Sequence, residues 1–105
     1  MTARSKTGVL ENLTESAVGP YEPFAKATHV ANGVAGRLSV AFSLRNIDPA
    51  GAEMRLTEAL AAWPIMCRVM AELEAAYPSQ AEQGASDAAA ILAILDRRDR
   101  RGEYA

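Results

Sequence analysis

Histidine and cysteine each occur once in this chain of 105 residues, as His29 and Cys67. An intrachain disulfide needs two cysteines, so the disulfide-stapled class of small domains is excluded. Transition-metal sites built from several His or Cys ligands are excluded within one chain on the same ground, and neither a metal nor a cofactor is expected. Aromatic residues make up only 6% of the chain, which leaves few large side chains to fill a core. No apolar run approaches the 18 or more residues that cross a bilayer. The opening MTARSKTGVLENLTES has charge but no continuous apolar stretch for export, so the expected location is the cytoplasm, with no membrane partner.

Positive charge is not in excess either. Residues 1–47 carry five Lys/Arg against three Asp/Glu and residues 48–105 carry six against ten, for a net charge of −2. Nucleic acid and anionic lipid are held non-specifically by clustered positive charge, and this balance provides no general footprint of that kind.

Alanine is abundant, with 22 residues. Each adds one methyl group to a core, so the core should be thin and its backbones closely packed. A length of 105 residues suits one domain, with residues 1–6 as a disordered lead and 7–105 as a single helical domain. Thr7 can cap a short helix with Val9, Leu10, Leu13 and Ala17 on one side, ended by Gly19-Pro20.

Two periods compete between Phe24 and Ile47. Leu38, Val40, Phe42 and Leu44 alternate with smaller or polar residues, as in a half-buried strand, and Asn32-Gly33 could turn a hairpin over residues 28–45. Phe24, Ala27, Ala31, Val34, Leu38, Ala41 and Phe42 recur instead at three and four, the helical spacing. Alanine is depleted in strands and no third strand supports a hairpin, so helix is the expectation, broken near Gly33 and Gly36. The α+β fold with a short hairpin stays as the alternative.

The segment from Asp48 to Tyr77 is the clearest helix: Asp48 is an N-cap, Pro49 suits the first position, and Tyr77-Pro78 supplies the stop. Leu56, Ala59, Trp63, Met66, Met70, Leu73 and Tyr77 form a heptad-like stripe that keeps its phase through Pro64, so one long kinked helix is expected, with two helices broken at Trp63 as the alternative. Leu60, Ala62, Cys67, Val69 and Ala76 flank the stripe. The apolar band is then wider than one core requires, and this helix should pack on two sides. Ser79 to Asp87 reads as a polar linker, followed by a last helix with Ala88, Ile91, Leu92 and Leu95 on its inner face. The fold class is mostly α, a bundle of three or four helices.

Catalytic constellations are lacking. Cys67 flanks the stripe in mid-helix and is expected as a small buried hydrophobe, and His29 as a surface residue, so no Cys/His nucleophile is expected. The function expected is a non-catalytic protein-binding subunit, an adaptor, assembly or inhibitory protein that contacts a partner or a second copy through Leu60, Trp63, Met66, Cys67, Val69 and Met70. The alternative is a small regulator that binds nucleic acid through Arg97, Arg98, Arg100 and Arg101. Asp96, Asp99 and Glu103 surround those arginines, so this partner is the less favoured.

Overall fold

The computed structural model describes residues 10–101, the side chain of Arg101 excepted. Helices occupy Glu11–Val18 (α1), Pro23–Leu44 (α2), Pro49–Ala61 (α3), Trp63–Ala76 (α4) and Pro78–Arg101 (α5), and no strand occurs among the described residues. The expected lead and its Thr7 cap lie outside those residues.

The cap and proline signal at Asp48-Pro49 is realised, and a second start of the same kind forms at Glu22-Pro23. Glu22 accepts a hydrogen bond from the Ala25 N–H at 3.2 Å with Pro23 in the first helical position, and Asp48 accepts from the Gly51 N–H at 3.1 Å ahead of Pro49. Each carboxylate satisfies one of the amides that a helix start leaves without a partner. α2 settles the competition of periods in favour of the helix and runs for 22 residues without the break expected at Gly33 and Gly36. An interior glycine costs about 1 kcal/mol, and the packing of α2 against its neighbours outweighs that cost.

α3 and α4 meet at Ala62 and are the two arms of the expected proline-kinked segment; taken as one bent helix, they leave four helices among the described residues. Ala62 between them keeps right-handed helical angles, and hydrogen bonds continue on both sides, from Ala62 N–H to Glu58 O at 3.0 Å and from Met66 N–H to Ala62 O at 3.1 Å. Pro64 has no N–H to donate, and the ladder is interrupted there.

Contacts gather the chain into two units, Met1–Leu73 and Glu74–Ala105. In the first, α1 and α3 both pack on α2, and a core forms from Leu10, Leu13 and Ala17, from Ala27, Val30 and Val34, and from Ala62 and Val69, with Ile65, Met66 and Leu73 against it. The largest side chains fully enclosed are two valines, Val30 and Val69. Alanines at Ala17, Ala27, Ala52, Ala59 and Ala62 bring the helices close, as the composition implied. The inward face of α3–α4 is therefore not the whole expected stripe. Ala59, Met66 and Leu73 of that stripe face inward, but Leu56, Trp63, Met70 and Tyr77 are exposed, and Ala62 and Val69, one helical position back, are buried in their stead. Small side chains win the inner face because close backbones leave no room for an indole.

In the second unit, α5 begins at Pro78 and is continuous for 24 residues, so the linker expected over residues 79–87 is helix. Pro78 acts as a first helical residue, where its missing N–H costs nothing, and the alanines that follow favour the helix through Gly84. The face expected to be inner is exposed: Ile91 is 55% and Leu92 63% accessible, and Ala88 and Leu95 are open as well.

Candidate protein-docking surface

Counting along α3 and α4, Leu56, Leu60, Trp63, Cys67 and Met70 alternate by four and three, so they share one row along the helix and its bent continuation. All five are exposed, Leu60 at 65% and Trp63 at 58%. The row lies about 100° around the axis from the buried Ala59, Ala62 and Val69 and the half-buried Met66, one helical position away. The wide apolar band thus has two sides, one against α1 and α2 and the other open.

Two of the expected contact residues do not belong to the open side. Val69 is fully buried and Met66 packs against the core, because both project toward α1 and α2. Cys67 goes the other way. Expected as buried, it is an exposed free thiol, since the residues before and two after it in the chain, Met66 and Val69, take the inner positions.

A neighbouring groove of about 510 Å³ between α2 and α3 extends this surface. Leu38, Ala41 and Phe42 form one wall and Pro49, Ala52 and Leu56 the other, so Leu56 belongs to both the groove and the open row. Arg45 and Glu53 line the groove as well, and the Arg45 guanidinium carbon lies 3.8 Å from the centre of the exposed Phe42 ring. Leu38 and Phe42 had been counted on the helical face with Ala27 and Val34. Of these four only the two smaller residues are buried, and that difference in size was the available signal.

Ion pairs hold the helices beneath this surface. Glu58 is buried, and its Oε1 lies 2.8 Å from Arg55 Nη1 and 3.6 Å from Arg37 Nε, while Arg37 Nη1 donates to Gly33 O at 3.0 Å. Lys26 meets Glu72 at 3.1 Å and ties α2 to α4. These pairs fix the spacing of the helices that carry the apolar row.

The remaining chemistry-bearing residues do not gather with it. His29 is exposed on α2, its ring 5.4 Å from that of Tyr21. Among the described residues no group of three or more His, Cys, Asp or Glu could hold a metal ion, and no helix is long and apolar enough to cross a membrane. Arg97, Arg98 and Arg100 lie exposed at the end of α5, where Arg100 meets Asp96 at 3.1 Å. Comparison with known proteins brings no relative into view: no family model, no curated protein and no solved structure matches the chain.

Proposed function

We propose that the chain is a non-catalytic protein-binding subunit that holds its partner on the open apolar row of α3–α4 and the adjoining α2–α3 groove. The observation that carries this reading is that on α2 to α4 the buried apolar residues are alanines and valines, while Leu60, Trp63, Met70 and Phe42 are outside. Soluble proteins seldom leave a contiguous apolar patch of several hundred square ångströms open unless something binds it. Exposed aromatic and methionine side chains on helices, residue types enriched at interface cores, suit a second protein's apolar helix or loop. An adaptor, assembly or inhibitory role fits such a surface, and a free thiol at Cys67 fits the reducing cytoplasm.

Trp63 is the only tryptophan and lies in the row, so it reports occupancy directly. Natively purified complex should show Trp63 emission shifted to the blue and shielded from acrylamide relative to the isolated chain. Leu60→Glu should release the partner and leave the far-ultraviolet circular dichroism unchanged, because Leu60 is exposed. A purified chain with no partner, whose Trp63 is quenched freely at every concentration, would remove this reading.

A further inference from the structure

α5 carries an apolar row of its own, on a different element from the docking surface above. Ala81, Ala85, Ala88, Leu92, Leu95 and Asp99 recur alternately by four and three, the spacing of a helix–helix seam. Its small residues all lie in the first two-thirds and its large ones after them. Charge is distributed just as unevenly. The first ten residues of α5 hold Glu82 and Asp87 with no cation, whereas residues 96–101 hold four arginines with two aspartates.

We infer that α5 pairs antiparallel with α5 of a second copy of this chain. Laid head to tail with Ala88 opposite Leu92 of the second copy, the seam sets Ala85 opposite Leu95, so every large side chain meets a small one and no layer is overfilled or left void. The first ten residues of each helix, which carry −2, then run toward the end of the other, where residues 96–101 carry +2. The attraction is between whole helix ends, with Arg98 beside Gly84 and Glu82 beside Asp96. The opposed helix dipoles add to that attraction. Asp99, the one charged residue in the row, falls opposite Ala81 in the partner's first helical turn, where free backbone N–H groups favour a carboxylate. A parallel pair would instead place Asp99 against Asp99, arginine end against arginine end, and leucine over leucine beside alanine over alanine. Size, charge and the position of Asp99 all choose the antiparallel arrangement. A single pair of helices about 36 Å long buries less than a standard interface, so the association should be of micromolar strength.

Sedimentation velocity of the full chain over a hundredfold range, from about 5 to about 500 µM, should show monomer converting to dimer, and Leu92→Glu should hold it monomeric with its helix content retained. Orientation is read by cross-linking in a Cys67→Ser background. Ala89→Cys sits close to its own copy in the antiparallel pair, so a short bis-maleimide should trap a covalent dimer. Leu95→Cys lies about 15 Å along the axis from its copy and should not be trapped. A wild type that is monomeric at the highest concentration, a dimer that survives Leu92→Glu, or trapping through Leu95→Cys but not Ala89→Cys would each overturn the proposal.

Discussion

Gly33 and Gly36 stand one turn apart in the same helix and have opposite surroundings. A Cβ at Gly33 would overlap the Cδ atoms of Leu13, a buried residue of α1, whereas a Cβ at Gly36 would meet nothing within 4 Å. Alanine at either position removes the roughly 1 kcal/mol penalty of an interior glycine. At Gly33 the added methyl must also displace Leu13, and overpacking of that kind costs about 1–3 kcal/mol. Chemical denaturation should therefore find Gly36→Ala more stable than the wild type by about 0.5–1 kcal/mol and Gly33→Ala less stable. Glu58 presents a second contrast, between burial and charge. Its carboxylate is the shared partner of Arg55 and of the mostly buried Arg37. Glu58→Ala should cost about 2–4 kcal/mol, below the full penalty for breaking a buried pair because Arg55 is 44% exposed and can turn to water. The Arg37→Met, Glu58→Leu double variant should recover most of the loss, since it leaves no charge buried alone.

At the scale of the element, the helices were legible and their orientation was not. The cap at Asp48, the proline at Pro49 and the stop before Pro78 are local chemistry, and each appears at its expected residue, whereas the start at Glu22-Pro23 was not expected. Which face turns inward is a tertiary matter. Leu56, Trp63 and Met70 outrank alanine on any scale of hydrophobicity, so periodicity places the stripe on them. The closeness that the alanines allow then selects the face one position back. Ala88, Ile91, Leu92 and Leu95 were expected as the inner face of the last helix and are exposed instead, because the apolar spacing of a face does not say what, if anything, it packs against. Substitution separates the two sides of α3–α4. Val69→Glu puts a charge where accessibility is 0% and should unfold the first unit, seen as loss of cooperative melting, whereas Met70→Glu on the open row should melt within about 1 kcal/mol of the wild type. If Val69→Glu were tolerated, the inner face would have been assigned wrongly.

For the whole molecule, two features bear on what it could bind: a core whose largest fully buried side chains among the described residues are valines, and an exposed apolar row without an excess of positive charge. A core this light leaves a small margin of stability, and occupation of the open row adds to it by mass action, so the folded population should rise with partner concentration. Nucleic acid is the competing class of partner to the one proposed, and the charge distribution argues against it. The arginines at the end of α5 lie among acids, Arg100 is engaged by Asp96, and the chain as a whole carries −2. Each phosphate contact contributes through counterion release, so binding by the arginine run would show as an affinity that falls steeply with salt. Fluorescence anisotropy with a labelled duplex should detect no micromolar binding at physiological salt. The variant with glutamine at Arg97, Arg98, Arg100 and Arg101 should match the wild type. Salt-dependent micromolar affinity that this variant loses would move the functional surface from the apolar row of α3–α4 to the end of α5.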